Sequence, residues 1–170
     1  YCKGIRNYDT QKAWEICRDT AYAKYPNRSG RDEMSKYGYI PGNISETAEN
    51  AFADWCISQF AKASGHLEDA EKIYQQSLNY RNIFDPETGW MRRKDADGNW
   101  METSGIYDQR GCVESNIFQQ SWFVPHDIPK LIELMGGPDS FCERLEKLLS
   151  GADLSALWNE DYNHSNEPCH

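Results

Sequence analysis

Residues 45–65 read SETAENAFADWCISQFAKASG. Ala48, Ala51, Phe52, Trp55, Phe60 and Ala61 recur at helical spacing, with Ser45 in the expected cap position and Gly65 as the stop. A second helical pattern follows from Leu67 to Arg81, with Leu67, Ala70, Ile73, Tyr74 and Leu78 on one face. Upstream, a helix is expected from Thr10 to Tyr25, capped by Asp9 or Thr10 and followed by Pro26. A loop rich in Asn, Gly and Ser comes next, then YGYIPGN (37–43), which reads as an extended, turn-forming segment. Downstream, Asp127 is placed to cap IPKLIELMGG (128–137), with Pro129 tolerated in the first turn and Gly136 at its end. DSFCERLEKLLSG (139–151) is a further amphipathic helix ending at Gly151. Between these helices, FDPETGWMRRKDADGNWM (84–101) changes the pattern: it reads as a loop and then a small hairpin turning at Asp97-Gly98. The fold class is therefore mainly α, with long inter-helix loops and a small β-hairpin, and with no internal repeat of fixed period.

Composition narrows the function. A chain of 170 residues suits one domain with a single core. Its 18 Lys+Arg against 27 Asp+Glu give a net charge of −9, which argues against nucleic acid or an anionic membrane surface as partner. No apolar run approaches the ~20 residues of a membrane span, and no basic-then-apolar signal segment opens the chain. Because the sequence starts at Tyr1 rather than Met, its N-terminus is expected to have been trimmed or excised. Six Trp and ten Tyr are many for this length. Aromatic faces pack on sugar rings, although a Trp-rich core is the plainer reading. The six cysteines (Cys2, Cys17, Cys56, Cys112, Cys142, Cys169) form no C-x-x-C pair, against a zinc or redox motif. Cys17, Cys56 and Cys142 fall in helical patterns and read as small buried hydrophobes, while one or two disulfides stay open for an exported protein. Asn27, Asn43 and Asn163 stand in glycosylation sequons, which matter only in a eukaryotic secretory pathway.

Ligand-binding groups in an α-rich domain tend to sit on loops that the helices position. Two inserts carry the strongest candidates. In ESNIFQQSWFVPHD (114–127), Glu114 keeps company with Asn116, Gln119, Trp122, His126 and Asp127. A carboxyl group near aromatic surface and amides can stay protonated and donate that proton. The plain alternatives are a solvent-facing Glu, and a turn with a helix cap at His126 and Asp127. In SNEPCH (165–170), Asn166 and Glu167 supply hard oxygen donors that suit calcium better than zinc, or else a polar turn stiffened by Pro168.

Taken together, four segments are similar, in order and spacing, to glycoside hydrolase family 92. They are YIPGNISETAENAFADWCISQFAKASG (39–65), SLNYRNIFDPETGWMRRKDADGNW (77–100), ESNIFQQSWFVPHD with LIELMGG (131–137), and SNEPCH. The resemblance covers most of the chain from Tyr37 onward. It implies a calcium-dependent exo-acting α-mannosidase that inverts the anomeric centre. It also implies that residues 1–170 are one segment, an incomplete portion of an (α/α)6 barrel catalytic domain joined to an N-terminal β-sandwich domain. On that basis Glu114 matches the general acid, Asn166 and Glu167 match the calcium-site segment, and Gln119 matches a glutamine beside it. Trp55, Trp122, His126 and Asp127 are assigned to sugar binding. The catalytic base is expected in the stretch after His170. Calcium would hold the O2 and O3 hydroxyls of the terminal mannose, in a reaction through an oxocarbenium-like transition state.

The implied partner is a mannose-containing oligosaccharide or glycoprotein glycan, with a role in N-glycan breakdown and an exported, periplasmic or extracellular location. The sequence departs from the family at Ser115 (commonly Gly), at Ile117 and Phe118 (a typical Ala-Trp), at Gln120 (Tyr), at Arg93 (Pro) and at Cys169 (Ser). Relatives that cleave mannose phosphodiesters tend to have Gln at the acid position, so retention of Glu114 favours an ordinary glycoside. Two other readings belong to different classes. One is a non-catalytic helical binding module, since DAEKIYQQSLNY (69–80) resembles one tetratricopeptide helix. The other is an inactive mannose-binding relative.

Overall fold

Asp9 opens the first helix, α1 (Thr10–Ala21), by accepting a hydrogen bond from the Lys12 N–H at 2.9 Å. The structure, a computed structural model, describes residues 1–22 and 29–150. Asn166 and Glu167, assigned to the metal, therefore lie outside the described residues, as do Asn163 and Cys169. After α1 come α2 (Arg31–Tyr37), α3 (Ile44–Ala63) and α4 (Leu67–Ser77), which tightens into a 3-10 turn at Leu78–Ile83. Two short strands, β1 (Phe84–Asp85) and β2 (Trp90–Met91), pair antiparallel with Phe84 opposite Met91 and Asp85 opposite Trp90. Three helices complete the set: α5 (Ile117–Gln120), α6 (Ile128–Leu134) and α7 (Pro138–Ser150). The protein is mainly helical, with long inter-helix loops and a small antiparallel hairpin.

Three local expectations shift. The segment read as a loop before Tyr37 contains α2, a seven-residue helix with a left-handed glycine on either side, Gly30 and Gly38. The named strand pair turns through Pro86–Gly89. The turn expected at Asp97-Gly98 is also present, paired by the antiparallel Lys94–Trp100 bridge and by the Asp95 N–H to Asn99 carbonyl and Met101 N–H to Arg93 carbonyl bonds, both at 3.0 Å. Asp95 reinforces it, its carboxylate accepting the N–H groups of Asp97 and Asn99, both at 2.9 Å. Ser45 is not a cap. It is the second residue of α3, and its hydroxyl donates to Gln120 instead.

Contacts divide the chain into two compact units, one formed by Tyr1–Ile40 with Glu46–Asn82 and the other by Pro41–Ser45 with the chain from Ile83 onward. In the first unit, Trp14, Ala21, Ala61, Ala70 and Ile73 form a buried cluster, with Tyr22, Ile57 and Phe60 packed against it. Trp14 meets Phe60 edge-on at 6.1 Å and stacks on His66 at 4.5 Å. The inward stripe of α3 is not the aromatic one that periodicity suggests. Thr47, Ala48, Ala51, Asp54, Ser58 and Ala61 are buried, whereas Phe52, Trp55 and Phe60 are half-buried. Small residues let neighbouring chain approach closely, and the polar ones have partners. Thr47 accepts the Ile40 N–H at 3.0 Å, and Asp54 pairs with Arg31 at 2.7 Å.

In the second unit, Trp90 meets Phe118 at 5.3 Å and Trp122 at 6.2 Å, both edge-on, and Trp122 meets Phe141 at 5.4 Å. Met91, Ile117, Val124, Leu131 and Met135 are buried in the same unit. Arg144 lies over the Trp90 ring at 4.5 Å and donates to the Gly89 carbonyl at 2.8 Å, which holds α7 against the hairpin. The cysteine expectation fails in part, because Cys56 and Cys142 are exposed and Cys17 is intermediate. Helical spacing alone therefore did not bury them; the buried cluster of the first unit is filled by Trp14, Ala21, Ala61, Ala70 and Ile73. No disulfide joins the described cysteines to one another. No helix among the described residues is long and apolar enough to cross a membrane.

Arg31 and Asp54 are nearly inaccessible, at 5% and 0%. Arg31 also donates to the Ala21 carbonyl and, at 3.2 Å, to Gln76. Removing one partner of a buried pair strands the other charge, which costs about 3–5 kcal/mol. In the full-length protein, Asp54→Ala is expected to lower unfolding free energy by that amount in a denaturant titration. The double change Arg31→Met, Asp54→Leu should cost less than Asp54→Ala alone.

Candidate functional site

Asp108 organises the loop that leads to Glu114. It is 4% exposed and receives Arg110 Nε at 3.0 Å and Arg110 Nη2 at 2.7 Å. The N–H groups of Arg110 (3.0 Å) and Ser104 (3.2 Å) also donate to it. Burial by itself would raise this carboxyl, but the Arg110 side chain and the converging N–H groups outweigh it and hold it well below the usual carboxylate range. The main chain of the same loop fixes α5: the Asp108 carbonyl accepts the Ile117 N–H at 3.1 Å, and the Ile106 carbonyl accepts the Phe118 N–H at 2.7 Å. Cys112, in the same loop, is a thiol pushed up to about 12 by burial and by the charge of Asp108.

Gly111 is the next fixed point. Its φ is +79°, and a Cβ there would stand 2.4 Å from the Gly42 carbonyl oxygen, so only glycine fits. Its own carbonyl accepts the N–H groups of Ile44 at 2.7 Å and Ser45 at 3.1 Å, two donors that the first turn of α3 cannot satisfy internally. The loop and the start of α3 are thereby joined through one oxygen.

Glu114 follows two residues after Cys112, with φ +52°, the one non-glycine residue of positive φ among the described residues. Both chain neighbours are tied. Val113 donates its N–H to Ser45 Oγ at 2.8 Å, and Ser115 Oγ donates to Gln120 Oε1 at 3.0 Å. Asn116 then starts α5 with a capping box: its side chain accepts the Gln119 N–H at 3.0 Å, while Gln119 Oε1 accepts the Asn116 N–H at 3.2 Å. A left-handed glutamate held between hydrogen-bonded neighbours is backbone strain retained by its surroundings, a pattern concentrated at functional sites. The carboxyl-bearing residue itself is exposed, so the described residues do not form the aromatic and amide enclosure expected around it.

The other candidates divide. Gln119 is buried in α5, its oxygen accepting the Asn116 N–H in the capping box. Trp122 is half-buried between Trp90 and Phe141, and its Nε1 is buried without an acceptor among the described residues. His126 and Asp127 are half-buried in the turn before α6, and Asp127 occupies the N-cap position without a side-chain capping bond. Trp55 belongs to the first unit, stacked on Phe52 at 6.1 Å. Among the described residues, no group of three or more His, Cys, Asp or Glu side chains could hold a metal ion. Sequence reasoning passed over Asp108, Gly111 and the Gln120 acceptor, and also the hydroxyl role of Ser45. Only Gly111, in a Gln-Arg-Gly turn, carried a signal of its own.

Comparison with known proteins gives the family and the fold. A model of the glycosyl hydrolase family 92 catalytic domain matches residues 1–170, and the chain belongs to that family. The inverting mannosidase of family 92 from Bacteroides thetaiotaomicron VPI-5482 is similar in structure, with a TM-score of 0.84 and 32% identity over 98% of this chain and 26% of its own. A family 92 α-mannosidase from Bacteroides thetaiotaomicron has a TM-score of 0.79 and 30% identity, over 86% of this chain and 20% of its own. An uncharacterised secreted glycosidase of Arthroderma benhamiae is 28% identical over 191 residues, covering 87% of this chain and 24% of that protein. The chain thus spans about a quarter or less of the length of these relatives. Its helical architecture is that of a portion of the family's (α/α)6 catalytic domain.

The strain at Glu114 has a measurable consequence. A left-handed conformation costs a non-glycine residue roughly 1–3 kcal/mol, part of which glycine gives back as chain entropy. Glu114→Gly is expected to raise the thermal stability of the full-length protein by about 1 kcal/mol, read by calorimetry, while removing the carboxylate.

Proposed function

We propose that this chain contributes the general acid of an exo-α-mannosidase, with Glu114 as the proton donor to the departing glycosidic oxygen. The observation that carries the proposal is the strained, tethered, solvent-facing Glu114, found in a chain of a glycosidase family. The similarity to an inverting mannosidase supports inversion. In that chemistry the acid protonates the leaving oxygen while a carboxylate across the ring, about 6.5–9.5 Å away, activates water. The base is then expected outside residues 1–170, as are the N-terminal β-sandwich and the rest of the barrel. The substrate is a mannose-terminated oligosaccharide or glycoprotein glycan, with Trp122, His126, Asp127 and Trp55 as candidates for sugar contact. Similarity to a relative named as secreted supports export.

Calcium is the proposed ion, to act as a Lewis acid toward sugar hydroxyls. The described residues do not by themselves form its site, since no group of three or more His, Cys, Asp or Glu among them could hold a metal ion and calcium takes 6–8 oxygens. Asn166 and Glu167 would supply further donors. In the full-length enzyme, exhaustive chelation is expected to abolish turnover of an α-mannoside, with recovery on adding calcium but not zinc; full activity after chelation would rule calcium out.

The acid is tested through the leaving group. Protonation matters most when the departing oxygen is a poor leaving group. In the full-length enzyme, Glu114→Gln should lower kcat on an α-mannobiose by a factor of ~100 to 10,000 and slow a dinitrophenyl mannoside much less. Equal losses on both substrates would assign Glu114 to binding instead.

A further inference from the structure

The hydrogen bonds on either side of Glu114 converge on one atom. Gln120 Oε1 accepts from Ser115 Oγ at 3.0 Å and from Ser45 Oγ at 2.7 Å. Ser45 Oγ, having given its own proton to Gln120, accepts the Val113 N–H at 2.8 Å. The residue before Glu114 and the residue after it are therefore both anchored, one through Ser45 and one through Ser115, to the same carbonyl oxygen. Gln120 is 8% exposed and Ser45 is 1% exposed, so water cannot readily replace either partner. Both lone pairs of Gln120 Oε1 are occupied, and the direction of every proton is set: backbone N–H to serine, serine to glutamine.

We propose that Gln120 is a positioning residue for Glu114, acting through Ser45 and Ser115 to hold the glutamate in its left-handed conformation and so aim its carboxyl group. This role presupposes Glu114 as the acid. It follows from the arithmetic of strain, because a glutamate at φ +52° relaxes unless its neighbours are fixed. The capping box fixes the chain from Asn116 onward, and Gly111 fixes it before Cys112. Between those points, Val113 is tied to Gln120 by way of Ser45, and Ser115 is tied to it directly.

Two measurements in the full-length enzyme test it. Gln120→Met removes the acceptor at similar volume, and Gln120→Glu keeps an acceptor oxygen. With Gln120→Met, kcat on α-mannobiose is expected to fall by ~10 to 100-fold at little change in KM, because a misaimed acid loses alignment rather than binding. The dinitrophenyl mannoside should be affected less, and Gln120→Glu should recover part of the loss. Where Glu114→Gln itself discriminates between the two substrates, equal losses from Gln120→Met, or a change confined to KM, would overturn the proposal.

The second measurement does not depend on the acid. The rise in unfolding midpoint given by Glu114→Gly should vanish in the Gln120→Met background, since a relaxed Glu114 has no strain left to release. If the two changes are additive, Gln120 does not hold Glu114, whatever the kinetics show. If they are coupled but Glu114→Gln affects both substrates equally, the positioning stands and the acid assignment falls. Should Gln120→Met fail to fold, Ser115→Ala removes one of the two ties, and the same coupling is read with that variant.

Discussion

One carbonyl oxygen connects the start of α3 to the loop that leads to Glu114. Gly111 gives its oxygen to the first two N–H groups of α3, at Ile44 and Ser45. A helix start needs acceptors, and here a loop 67 residues downstream of Ile44 supplies one (111 − 44 = 67). Ile44 and Ser45, in the same compact unit as the loop that carries Glu114, are thereby fixed to that loop. Without that oxygen, Ser45 would lose its fixed height beside Val113, and the acceptor geometry at Gln120 would lose its reference. The absence of a Cβ at Gly111 permits this closeness to Gly42 and Arg93.

Stability and function pull against each other at this point. Asp108 and the capping box stabilise the loop by satisfying buried or terminal N–H groups. Glu114, in the same loop, adopts a conformation that glycine would hold more cheaply. The stabilising contacts flank the strained residue closely, as expected where surroundings must over-determine an unfavourable backbone angle. Aromatic packing of Trp90, Phe118 and Trp122 lies directly behind α5 and gives the loop a rigid base.

Much of the helical framework was legible in the sequence because α3, α4 and α7 carry regular apolar spacing and clear ends. α2 was not, since its seven residues are too short for periodicity and its flanking glycines read as loop. The inward face of α3 was misread because burial there follows small size and paired polar groups, as at Asp54 with Arg31, rather than hydrophobicity. The Asp97-Gly98 turn was legible from its local signal, but the Phe84–Met91 strand pair before it was not, because Asp-Pro-Glu-Thr-Gly reads as plain loop. Glu114 could be singled out by its chemistry and by resemblance, but its left-handed backbone has no signature in a Val-Glu-Ser triplet. Gln120 with Ser45 is less visible still. Their bond spans 75 residues, and neither side chain looks unusual in its own segment.

The sharing of one oxygen by two serines has an evolutionary consequence. Replacing Gln120 alone strands two hydroxyl protons, and replacing Ser45 alone strands the Val113 N–H as well as half of the glutamine's acceptor capacity. A single change at position 120 or 45 therefore passes through a state with an unpaired polar atom, whereas loss of Ser115 leaves Gln120 Oε1 still bonded to Ser45. Positions 45 and 120 are bound to one another as a pair that drifts jointly or stays. A lineage reaches a different solution around position 114 by compensated pairs of changes, so the surroundings of Glu114 should come in a few discrete versions rather than a continuum.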